Sequence, residues 1–210
     1  MKLRLYDYWR SSASYRVRIA LALKRLDYER VPIDLLSAEQ TGAENRARNP
    51  QGQVPTLEAG GVPMIQSIAI IDWLDATFPE PRLIPADPAA RARAMAQALL
   101  IAADIHPLNN LRVLKRLETQ FGADQAAKDE WYRATIAGGF AALEALAGDG
   151  PFLGGDTVGI ADICLVPQMF NARRFAVPLA DYPRLVAIDA AAAALPAFAA
   201  AHPDAVRPPQ

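Results

Sequence analysis

Three serines, Ser11, Ser12 and Ser14, flanked by Arg10 and Arg16, stand where a short apolar strand pattern, Leu3-Arg4-Leu5-Tyr6, gives way to a helical one. Serine is favoured at a helix N-cap because its side-chain oxygen accepts from an otherwise unpaired amide of the first turn. The same turn offers hydroxyl donors, N–H groups and the positive end of the helix dipole, which together suit an anion. The turn therefore reads either as a capped helix start or as an anion site to which two guanidinium groups add charge.

Further along, Gln66-Ser67 opens a second helix, where Ser67 either caps it or gives its hydroxyl and amide to a carboxylate. A cis peptide is expected at Val54-Pro55, which would turn the preceding backbone N–H and C=O outward for a peptide to pair with. His106 and Asn110, four apart, are expected on one helix face, as a solvated stripe or as a wall of a binding cleft, with Arg112 off that stripe. Arg173-Arg174 ends another helix. One cation there suffices for the dipole, and the other suits a dicarboxylate. Asp162, three residues past Gly159, reads as half of a capping box and therefore as structural.

The elements that must carry these residues alternate in type. Residues 2–6 read as a strand, 14–26 as a helix and 29–35 as a strand that Pro32 assigns to an edge. A β-α-β order favours a parallel pair with a right-handed crossover. Residues 37–49 suggest a short irregular helix ending in the turn Asn49-Pro50-Gln51-Gly52. Apolar runs around Gly60-Gly61 read as a hairpin, followed by a helix over 68–78. Pro79, Pro81, Pro85 and Pro88 mark a linker. Beyond it the pattern is helical: 88–119 with a bend at Pro107, 125–147, 160–175 and 183–201. The expected division is 1–80, a linker 81–88, and an all-α domain 89–210 with a loose or draped tail from 203 to 210.

The 210 residues carry a formal net charge of −1, mixed in sign along the chain, which gives nucleic acid no field to follow. No apolar run reaches membrane-spanning length and no signal-peptide core is present, so a soluble, cytoplasmic protein is expected. The single cysteine, Cys164, excludes an intramolecular disulfide and a cysteine-based zinc site, and His106 and His202 are too few for a histidine-rich metal centre. No metal is expected. Cys164 reads as a core residue, and Trp9, Trp73 and Trp131 as packing residues.

Taken together, these pieces resemble the soluble glutathione transferases: an α+β N-terminal thioredoxin-like domain (βαβ-ββα), a proline-rich linker and an all-α helical domain. The segment Ser11-Ser12-Ala13-Ser14-Tyr15-Arg16-Val17-Arg18-Ile19-Ala20-Leu21 is similar to the signature of the zeta class. So are Val54-Pro55-Thr56-Leu57, Gln66-Ser67-Ile68-Ala69, Asp104-Ile105-His106-Pro107-Leu108-Asn109-Asn110-Leu111-Arg112 and Ala172-Arg173-Arg174-Phe175. The resemblance covers essentially the whole chain.

It implies glutathione as cofactor, a homodimer, and cis–trans isomerisation of maleylacetoacetate or maleylpyruvate, a small dicarboxylic or keto acid, by reversible thiolate addition. Carried over, it makes Ser11 the activator of the glutathione thiol and Ser14 the helix cap. Ser12, Ala13, Ser14 and Arg16 would line the turn. Val54 at Pro55 would pair with the cysteinyl backbone, Gln66 and Ser67 would hold the γ-glutamyl end, and Gln40 or Thr41 would reach the glycyl end. His106, Asn110 and Arg112 would flank the tripeptide, while Arg10 and Arg174 would bind substrate carboxylates. Many zeta enzymes have cysteine where this chain has Ala13, a departure that bears on any cysteine-assisted step at that point and leaves the isomerase reading in place, since the serine is kept. A transferase conjugating or dehalogenating small α-halo acids, and a non-catalytic binding module, are the other readings.

Overall fold

A computed structural model describes residues 1–208. By its contacts the chain divides into two units: Met1–Leu83 together with the chain from Ala194 onward, and Ile84–Ala193.

The first unit is built on a four-stranded sheet. Its elements are β1 (Leu3–Asp7), α1 (Ser12–Leu23), β2 (Glu29–Pro32), a 3₁₀ turn at Glu39–Thr41, α2 (Ala43–Arg48), β3 (Thr56–Ala59), β4 (Val62–Ile65) and α3 (Ser67–Thr77). The strand order is β2-β1-β3-β4. β2 runs parallel to β1, with Tyr6 opposite Val31, and β3 runs antiparallel to both β1 and β4. Pro32 is thus on an edge strand, where its missing N–H costs no ladder bond. Gly60 and Gly61 both have positive φ, 57° and 87°, as a two-residue hairpin turn requires.

α1 is buried on every side, including Arg16 and Arg18. It begins at Ser12 rather than at residue 14, because Ser11 caps it. It ends before Arg25, which turns left-handed at φ 54°. The buried Lys24 ammonium fastens its C-terminal end. It donates to Asp75 Oδ1 at 2.7 Å, to the Phe78 carbonyl at 2.5 Å and to the Pro81 carbonyl at 2.8 Å. These three acceptors match its three protons.

The second unit is helical: α4 (Pro88–Leu99), a π-helical turn (Leu100–Ile105), α5 (Leu111–Phe121), α6 (Gln125–Leu146), α7 (Ile160–Arg174) and α8 (Pro183–Ala193). α7 is its core, with Ile163, Cys164, Leu165 and Met169 fully buried, and α4 and α8 pack on it. The expected continuous helix over 88–119 is two helices. Pro107 has no N–H to continue the ladder, and Asn110 starts α5 by accepting the Arg112 amide at 3.1 Å. Gly139 on α6 lets Ile105 of the π turn approach the helix backbone; a Cβ there would lie 2.2 Å from Ile105 Cδ1.

The expected helix over 183–201 is also broken. Pro196 takes the first position of α9 (Pro196–Ala201), which packs on α1 in the first unit. The expected all-α domain 89–210 therefore gives up its C-terminal segment. Phe198 is buried, and its carbonyl accepts from the Tyr15 hydroxyl at 3.5 Å. A 3₁₀ turn at Pro203–Ala205 follows, and the chain through residue 208 lies draped on the same unit. Residues 209–210 of the expected tail lie outside the described residues. Among the described residues no helix is long and apolar enough to cross a membrane.

Candidate active site

The loop between β1 and α1 is fixed from below by two arginines. Asp7 is fully buried, and its carboxylate accepts from Arg18 Nη1 at 2.6 Å and from Arg30 Nε at 2.9 Å. Arg18 also donates from Nη2 to the Trp9 carbonyl at 2.9 Å and from Nε to the Ala201 carbonyl at 3.0 Å. Burial pulls its pKa below the usual guanidinium range, while Asp7 opposes the shift. A guanidinium starts so far above neutrality that it stays charged.

Ser11 is the N-cap of α1, in extended conformation, and its Oγ accepts from the Ser14 amide at 3.3 Å. The expected division of labour, with Ser14 as the cap, is thus overturned: only the residue just before the first turn aims its oxygen at the amide three residues on. Ser14 Oγ is buried without a hydrogen-bond partner among the described residues. The Ser11 hydroxyl has one proton and two lone pairs. Capping uses a lone pair and leaves the proton to donate. One side chain can therefore cap the helix and face an anion. Ser12 is buried and Ala13 half-buried in the same turn.

α3 begins beside it. The buried Arg16 donates from Nη1 to Ser67 Oγ at 3.3 Å, so a cation on α1 holds the first residue of α3. Gln66, which precedes α3, has φ 70° and ψ 115°, a strained backbone for a residue with a side chain. Such strain clusters where a site needs a backbone group aimed outward. Its side-chain amide donates to Gln51 Oε1 at 2.8 Å. The Val54-Pro55 peptide is cis, and Val54 lies ahead of the ladder that begins at Thr56. Arg10 lies over the Trp9 indole, 5.3 Å from its centroid. The Gln40 carbonyl is taken by Asn45, and the Thr41 hydroxyl by the Ala38 carbonyl.

In the second unit the expected pairing of His106 and Asn110 on one helix face does not occur. His106 follows the π turn, whereas Asn110 is the extended N-cap of α5, so the break at 107–110 separates them. Arg112 is exposed in the first turn of α5. The two arginines at the end of α7 take different places. Arg173 pairs with the buried Asp189 of α8 at 2.6 Å. Arg174 lies over Phe175, 4.8 Å from its centroid, and Phe175 stacks on Tyr132 at 3.6 Å. Burial pushes the Tyr132 hydroxyl up to about 12, with the Arg174 charge pulling the other way. Asp162 is the capping residue expected, accepting from the Gly159 amide at 2.9 Å and also from the Leu153 amide at 2.8 Å.

Residues 5–82 match the family model of the glutathione S-transferase N-terminal domain, and residues 125–205 that of the C-terminal domain. The chain belongs to the glutathione S-transferases. It is 48% identical over 207 residues to a maleylacetoacetate isomerase of Rhizobium meliloti (strain 1021), covering 97% of each chain. Among solved structures it resembles the holo structure of a maleyl pyruvate isomerase, a bacterial zeta-class glutathione S-transferase. There the TM-score is 0.96 and the identity 44%, covering 99% of this chain and 100% of that one. It also resembles maleylacetoacetate isomerase from Anaeromyxobacter dehalogenans 2CP-1, at TM-score 0.88 and 46% identity. That enzyme has been solved with GSH bound in its active site (98% of this chain covered, 97% of that one). It has also been solved with bound dicarboxyethyl glutathione and citrate (99% and 98%).

The donors of this transferase fit glutathione by their chemistry. A helix-capping hydroxyl with its proton to give suits a thiolate, and a positive-φ residue ahead of a hydroxyl-bearing helix start suits a carboxylate. Sequence reasoning missed Gln51, Asp7 and Arg18. Asp7 and Arg18 share their elements with Arg4 and Arg16, so charge alone did not single them out.

Proposed function

We propose that this protein is a glutathione-dependent cis–trans isomerase of the zeta class that acts on maleylacetoacetate or maleylpyruvate. The observation that carries this is Ser11, whose oxygen is aimed by the Ser14 amide and whose proton remains to be donated at the N-terminus of α1. Glutathione supplies the thiolate that adds reversibly to the double bond and is returned unchanged.

The chain's own residues do the rest. Ser11 and the α1 N-terminus stabilise negative charge on sulfur and so favour ionisation at neutral pH. The Ser67 oxygen accepts from Arg16, which turns its hydroxyl proton and the helix amides to the γ-glutamyl carboxylate. Val54 offers backbone groups to the cysteinyl residue, and Gln66 holds the same end as Ser67. His106, Asn110 and Arg112 are assigned to flank the tripeptide by resemblance to the zeta class. Arg10 and Arg174 bind carboxylates of the substrate, where a guanidinium fork is the strongest neutral-pH partner. Arg174 is assigned by resemblance to the zeta class, and its neighbour Arg173 pairs with Asp189. Resemblance to the zeta class further suggests a cytoplasmic homodimer. An absorbance assay with each cis acid, with and without glutathione, tests the reaction.

A further inference from the structure

The C-terminal segment is fastened to the loop that carries Arg10 and Ser11 at several separate points. Arg18 takes both the Ala201 carbonyl and the Trp9 carbonyl, so one buried guanidinium ties the end of α9 to the loop backbone. Arg30 does the same one step further out, taking Asp7 with one nitrogen and the Val206 carbonyl with another. The next residue, Arg207, lies over the Trp9 indole, 5.1 Å from its centroid. Trp9 therefore carries two guanidinium groups, Arg207 and its sequence neighbour Arg10 at 5.3 Å. Its ring is only half-buried and touches Tyr8 at 5.9 Å in a tilted arrangement. With the Trp9 backbone held by Arg18, the remaining freedom is rotation of the indole, and Arg207 is the tail group that contacts the ring.

We infer that Arg207 is a positioning residue: it holds the Trp9 indole, and through it the Arg10 guanidinium, in the orientation that receives a substrate carboxylate. The role assigned to Arg10 rests on the proposed isomerase, whereas the contact with Trp9 does not. A guanidinium over an indole is attracted by the ring quadrupole, and at a partly exposed site the effect is modest. Two cations near one ring also repel each other, which limits how strongly both can be held. The chain end thereby tunes affinity for the acidic substrate without touching it, while Ser11, fixed by its amide's bond to the Tyr8 carbonyl and by its own cap, is unaffected.

The test uses Arg207→Ala, Arg207→Lys, Trp9→Leu and the double variant Arg207→Ala/Trp9→Leu in the full chain. Arg207→Ala should raise KM for the cis acid about two- to fivefold while leaving kcat and KM for glutathione within error of wild type. Arg207→Lys should recover most of the loss, and Arg207→Ala should add nothing in the Trp9→Leu background. Independently of turnover, Trp73→Phe/Trp131→Phe leaves Trp9 as the sole indole, and removing Arg207 there should lower its fluorescence anisotropy. Unchanged anisotropy, or an equal KM increase with and without Trp9, would overturn the inference. If wild-type protein does not turn over either acid but the anisotropy falls, the proposed reaction fails and the positioning of Trp9 stands.

Discussion

Arg16 on α1 donates to the hydroxyl oxygen of Ser67, the first residue of α3, at 3.3 Å, so one buried cation joins the body of α1 to the N-terminus of α3. Arg16→Met keeps the volume of the stem and removes this bond. Calorimetry should show glutathione affinity reduced about tenfold or more, as expected for losing a charge-assisted hydrogen bond of about 1.5–3 kcal/mol. Ser67→Ala should have a similar effect, and the double variant should be clearly less than additive. Full additivity would mean that the two residues act separately.

Arg173 and Arg174 should separate in their phenotypes. Arg173→Ala leaves the buried Asp189 carboxylate uncompensated and should cost about 1–3 kcal/mol of stability, read as a lower Tm, with KM for the cis acid little changed. Burial already raises the Asp189 pKa, and Arg173 opposes that. Arg174→Ala should do the reverse, raising KM for the acid with little loss of Tm. Swapped phenotypes would assign the carboxylate to Arg173.

Asp162 predicts a pH dependence of stability. Burial raises its pKa from 3.8 to about 6, although its bonds to the Gly159 and Leu153 amides pull the other way. The folded state thus holds the proton more tightly than the unfolded chain. This contribution to stability is complete below about pH 4 and is lost as the pH rises through about 6. The stability of wild type relative to Asp162→Asn should therefore shrink between pH 4.5 and 7.5, by about 2 kcal/mol. Denaturant unfolding at both pH values measures it. A difference that stays constant or grows contradicts the assignment.

Gly139→Ala should destabilise the helical unit by about 1–3 kcal/mol, because the new methyl would meet the buried Ile105 side chain at 2.2 Å. Ile105→Val or Ile105→Ala in the same chain should recover part of the loss. No rescue would place the effect elsewhere.

The first unit was the more legible half of the chain. Alternation in β1, Pro32 at an edge and Gly60-Gly61 between apolar runs each have one structural meaning, and the parallel β1–β2 pair, the β2 edge and the β3–β4 hairpin are as they imply. The serines were ambiguous because three of them in four positions all suit a cap, and only backbone direction selects Ser11. Pro107 reads equally as a bend or a break, and it was Asn110, a strong cap, that made it a break. The alanine-rich stretch favours helix throughout, which hid the stop before Pro196 and with it the docking of α9 on α1. Nothing in the local pattern marked Arg16 and Arg18 as fully buried, since charge in a helix is usually exposed. Their burial depends on partners far away in sequence, Ser67 and Ala201, that local pattern does not reveal.

The proposed function has Ser11 serving glutathione that is used as a catalyst and returned. The direct measurement follows isomerisation of maleylpyruvate or maleylacetoacetate by absorbance at substoichiometric glutathione, with thiol titrated at the end, for wild type and Ser11→Ala. Many turnovers per glutathione with all thiol recovered are expected, with turnover lowered at least about a hundredfold in the variant, the scale of losing a positioned charge-stabilising donor. Thiol consumed in proportion to product, or a Ser11→Ala protein as active as wild type, would contradict it.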